Sequence, residues 1–135
     1  VSQVYGPREP GAQPGKAAEV RAAAERIRAV ADAAAVHHPG CWTEAPGGVY
    51  GAVSAPSGET TEDLRQAYGG ALVGESMQPS VRAHVVTWQP ATAYAASNLL
   101  DLIAQLLERD PGYMPGSCPA AAGVLARLIL RGDSS

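Results

Sequence analysis

Pro90 is followed by apolar residues at three- and four-residue steps: Ala91, Tyr94, Ala95, Leu99, Leu102, Ile103, Leu106 and Leu107. No other stretch limits the possible folds as strongly. Proline suits the first position of a helix, where its missing N–H costs nothing. The spacing then lays a wide apolar face along the helix. Asp110-Pro111-Gly112 ends it. A helix from Pro90 to about Arg109 that buries one side is the expected centre of the fold.

A second helical pattern runs from Lys16 to about Val36. Val20, Ala24, Ile27, Ala31 and Ala34 line one face. Arg21–Glu25 and Arg28–Asp32 are spaced for pairing at i,i+4. Pro39-Gly40 stops this helix. Its alanine-rich stripe would let another helix approach closely, in the same chain or in a copy. Residues 1–15, with Pro7, Pro10, Pro14 and interspersed glycines, read as a flexible tail.

Between these helices the pattern turns to strands. Val49–Ser54 alternates, Pro56-Ser57-Gly58 is a turn, and Ala71–Gly74 is a second strand. Glu59–Tyr68 holds a short helical turn, with Thr60 as cap and Asp63 in the position of a capping box. Residues 81–88 read as a helix capped by Ser80, with Val81, His84, Val85 and Trp88 on one side. Pro119 opens a last helix to Arg131, with Val124, Leu125, Leu128 and Ile129 inward and Arg127 and Arg131 outward. Arg131 complements the helix dipole there. Residues 132–135 form a frayed end.

The expected fold is α+β: a small antiparallel sheet of two to three strands packed against three to four helices. Residues 16–131 form a single domain, with 119–131 as an appended C-terminal helix. Trp42 and the leucine ridge after Pro90 are expected to close over the sheet around one hydrophobic centre.

Of the 135 residues 46% are hydrophobic, but many are alanine and Phe is absent, so the core should be small and helped by self-association. The net charge is −3, Lys16 is the sole lysine, and the arginines make no run. A phosphate backbone needs clustered cations, so nucleic acid is not the expected partner. The one local basic face is Lys16, Arg21 and Arg28 on the first helix. No segment has the roughly 18 consecutive apolar residues of a membrane span, so no membrane partner is expected. The chain begins at Val1 without an apolar signal region. Either a removed leader or an alternative start codon fits, and the bias to Ala, Gly, Pro and Arg fits the second. A cytoplasmic location follows, with Cys41 and Cys118 as thiols rather than a disulfide.

His37, His38 and Cys41 bring metal ligands together, but four convergent ligands are needed. A helix C-terminus with histidines near the last carbonyls is the simpler reading. Cys118 at a helix start would have a lowered pKa, yet no nucleophile context surrounds it. Glu59, Glu62 and Asp63 read as dipole complements. No phosphate loop, nucleophile elbow or dinucleotide glycine pattern is present. No catalytic residue, metal or cofactor is therefore assigned. Trp42 and Trp88 read as core anchors. Tyr50, Arg65, Tyr68, Arg82 and His84 are the candidates to line a ligand pocket, by their place in the β-section and its flanks.

Two stretches in order carry a resemblance. The first is Ala33-Ala34-Ala35-Val36-His37-His38-Pro39-Gly40-Cys41-Trp42. The second is Arg82-Ala83-His84-Val85-Val86-Thr87-Trp88-Gln89-Pro90 with the Ala/Leu-rich run after it. This plan resembles small accessory proteins of actinobacterial phages and prophages and is similar to the Ead-like early phage proteins. It spans roughly residues 20–108. The chain departs from it with Gln89 where a capping Ser or Asp is usual, and with its C-terminal helix. The resemblance implies a cytoplasmic accessory protein of a bacterial host, a homo-oligomer, with no catalytic residues to transfer. The functional expectation is a non-enzymatic protein that binds or self-assembles, its partner a small molecule, a host protein or itself, with self-packing through the Ala-rich first helix or the Leu-rich one. Two alternatives stand beside it: a counter-defence protein sequestering a small host signal such as a nucleotide, and a small cysteine- or metal-dependent enzyme.

Overall fold

A computed structural model describes residues 12–109 and 117–131. Residues 1–11, 110–116 and 132–135 lie outside the described residues; residues 12–15, expected in the flexible tail, are instead the start of the first helix, and the last helix begins at Ser117 rather than Pro119. In order the elements are α1 (Ala12–His37), β1 (Thr43–Glu44), a 3-10 segment (Pro46–Gly51), β2 (Val53–Ala55), α2 (Glu62–Tyr68), β3 (Ala71–Gly74), α3 (Pro79–Thr87), α4 (Pro90–Arg109) and α5 (Ser117–Arg131). The fold is α+β, with a three-stranded antiparallel sheet ordered β1-β2-β3. Thr43 pairs with Ser54, and Ala55 with Ala71. A bulge between Val53 and Ser54 shifts the register toward Gly74.

The chain divides into two compact units. One is built from α1 up to Arg28, α4 from Ala95, and α5; the other is Ala29–Tyr94. The first is all helical. Its core is Val20, Ala23 and Ala24 of α1, Leu100 and Ala104 of α4, and Ala122 and Ala126 of α5. Five of these are alanines, which lets the backbones come close. Ser97 Oγ, fully buried, donates to the Ala24 carbonyl at 2.9 Å. Arg28 reaches Asp101 at 2.9 Å and Arg21 reaches Glu108 at 2.6 Å. The acids met at hydrogen-bond distance are thus on α4, not the intrahelical Glu25 and Asp32.

The second unit carries the sheet. Trp42, Val53 and Ala55 form one cluster, flanked by Ala34 of α1 and by Val85 and Val86 of α3. Ala45, Ala52 and Tyr68 form another. The single hydrophobic centre expected over the sheet is therefore not found: Trp42 and Leu100 belong to separate clusters.

Several expected elements move. Val49–Gly51 leave the sheet, and only Val53–Ala55 is strand. Gly47 and Gly48 both take φ +67, which turns the chain sharply where an extended run was read. The freed carbonyls of Tyr50 and Gly51 accept from Ser76 and Met77 backbone N–H groups at 2.8 and 3.0 Å. The cap of α2 is Thr61, whose hydroxyl accepts from Leu64 N–H, one residue beyond Thr60. The helix α3 begins at Pro79 behind Gln78, with no side-chain cap from Ser80. It turns Arg82, Val85 and Val86 inward, so Val81, His84 and Trp88 face out; Trp88 is 56% exposed.

The two best helices also rotate relative to expectation. The buried positions of α4 are Pro90, Ser97, Leu100, Ala104 and Leu107, while Leu99 and Leu102 are exposed. In α5 the buried positions are Pro119, Ala122, Gly123 and Ala126, while Val124, Leu125 and Leu128 are exposed. On α5 small residues hold the inner face, where three helices pack closely against Val20, Leu100 and their alanine neighbours.

Candidate functional site

In an α-helix, residues three and four apart share a face. On α4, Leu99, Leu102, Ile103 and Leu106 therefore lie together, beside the core stripe of Leu100, Ala104 and Leu107. On α5, Ala121, Leu125 and Leu128 lie together, beside Ala122 and Ala126. The apolar arc of each helix is wider than its intramolecular contact can cover. Exposure is 57% at Leu99, 52% at Leu102, 51% at Val124, 43% at Leu125 and 53% at Leu128.

Of these, Leu99 and Leu125 border a groove of about 220 Å³ between the two helices. Ala96, Leu99 and Ile103 form one wall, Cys118, Ala121 and Leu125 the other, with Leu100 and Ala122 beneath. Its lining is carbon apart from the half-buried Cys118 thiol. Five branched aliphatic side chains of the two helices, each about half exposed, present on the order of 400 Å² of apolar surface in total. The groove lining is apolar, with the Cys118 thiol at one wall.

The sequence-expected pocket residues disperse. Tyr50, Tyr68 and Arg82 come together around the 3-10 segment. Tyr50, at φ 54, holds its ring 5.8 Å from that of Tyr68. The Tyr68 hydroxyl donates to Glu75 at 2.7 Å, and this bond raises its pKa above the ordinary tyrosine value. Arg82 Nε donates to Glu44 at 2.9 Å and a terminal nitrogen to the Met77 carbonyl at 2.6 Å. These groups brace the loop against β1 and α3. Arg65 on α2 and His84 on α3 are exposed and join no such cluster.

His37 ends α1, as the helix-terminus reading expects. The His38 carbonyl accepts from Trp42 Nε1 at 2.8 Å, and its buried Nδ1 has no partner. Among the described residues no group of three or more His, Cys, Asp or Glu is placed to hold a metal ion. Cys41 and Cys118 are free thiols. Among the described residues no helix is long and apolar enough to cross a membrane.

The exposed leucines were the residues the sequence misassigned, since all were read as inward. Their signal was the width of the apolar arc on α4. A helix needs a stripe about 100° wide to face one core, and here apolar residues occupy far more than that. No known protein family, curated protein or solved structure matches the chain.

Proposed function

We propose that this protein is non-enzymatic and acts by binding or self-assembly through the α4–α5 face, as a cytoplasmic accessory protein of the phage or prophage type. One observation carries the association reading. The helical unit buries alanines and leaves Leu99, Leu102, Leu125 and Leu128 in water. Such an arrangement is destabilising for a lone soluble chain and favourable once a partner covers it. The phage assignment is supported by the order of the two sequence stretches around Trp42 and Trp88. The polar groups of Tyr68 and Arg82 are engaged within the chain, which favours association over a polar ligand in the β-section.

Sedimentation velocity and binding of a hydrophobic dye test this together. Association, or dye binding that Leu99→Ser removes, is the expected result. A strict monomer that binds no dye at any concentration overturns the reading.

A further inference from the structure

We draw no further inference here: the strongest candidate, the apolar groove between α4 and α5 with the Cys118 thiol on one wall, carries none, because nothing in the structure shows what covers it.

Discussion

The side-chain amide of Gln89 pairs with the backbone of Trp42 in both directions. Its Oε1 accepts from the Trp42 N–H at 2.9 Å, and its Nε2 donates to the Trp42 carbonyl at 3.1 Å. Nε2 also donates to the Val86 carbonyl at 2.9 Å. Gln89 is 8% exposed and Trp42 9%. A side chain thus acts as a strand partner, joining the segment after α1 to the residue that precedes α4. This explains the glutamine where a shorter capping residue would be usual: Ser or Asp cannot span from the start of α4 to another segment's backbone.

Gln89→Ala should therefore destabilise the fold by about 2–3 kcal/mol, because it strands a buried N–H and a buried carbonyl rather than removing one net hydrogen bond. Gln89→Glu should cost at least as much, since it keeps the acceptor but loses the donor and buries a charge. Denaturant unfolding measures both. A Gln89→Ala change under about 0.5 kcal/mol, within the range of ordinary surface substitutions, would show that the pairing contributes nothing.

Gly70 tests a different constraint. A Cβ there would lie 2.1 Å from the Ala55 carbonyl oxygen, which is backbone of the paired strand. The sheet must open to admit it, so Gly70→Ala should cost about 3 kcal/mol, at the upper end for overpacking. Gly47 provides the contrast. It has φ +67 but open space around its Cβ position, so Gly47→Ala should cost only the left-handed backbone penalty of about 1 kcal/mol. Thermal unfolding of the two variants should rank them in that order, and the reverse order would refute the close approach of Gly70 to β2.

Sequence periodicity located α1, α4 and α5, and the Ala71–Gly74 strand, because those segments carry signals confined to their own residues: Pro90 at a first turn, alanines and leucines at helical steps, glycines at the ends. It misjudged what depends on partners. Val49–Gly51 alternates as a strand does, but Gly47-Gly48 redirects the chain before the pairing can form. Leu99 and Leu128 have core-like spacing, yet Ala104 and Ala126 fit the close approach of three helices better. Periodicity states that a face is apolar; only the neighbouring helix decides which part of that face is covered. The candidate site was legible only in part: the leucine-rich helix was one of the two expected association faces, while Leu125 and Leu128 of α5 were counted as core. The structure brings Tyr50, Tyr68 and Arg82 near one another, but the hydrogen bonds of Tyr68 to Glu75 and of Arg82 to Glu44 and Met77 join segments that no spacing rule connects.

Tyr68 and Tyr94 should ionise late. The Glu75 hydrogen bond, then burial, raises the Tyr68 pKa; the Asp32 hydrogen bond, then burial, raises that of Tyr94. A phenol whose folded pKa lies above its unfolded value of about 10 stabilises the fold below that pH. The contribution falls as pH rises through the folded pKa, because the phenolate can no longer donate. Ultraviolet titration should show the Tyr68 and Tyr94 phenols ionising above the ordinary tyrosine value. Glu75→Gln should bring one of them back toward it. Should Glu75→Gln leave the titration curve unchanged, Tyr68 does not donate to Glu75 in solution.

The two tryptophans should separate cleanly in fluorescence. Trp42 is 9% exposed, in contact with Val53 and Ala55, and donates through Nε1 to the His38 carbonyl. Trp88 is 56% exposed at the end of α3, one turn beyond His84. A neutral quencher should reach Trp88 readily and Trp42 poorly, giving a curved quenching plot in the native state and a straight one after unfolding. Trp88→Phe should remove the accessible component and change stability by less than about 0.5 kcal/mol, as expected of a surface position. Trp42→Phe should instead cost about 2 kcal/mol or more, since it loses buried area and leaves the His38 carbonyl without its donor. Equal quenching of both single-tryptophan variants would contradict the outward turn of Trp88, and with it the inward orientation of Val85 and Val86 that the α3 helix imposes.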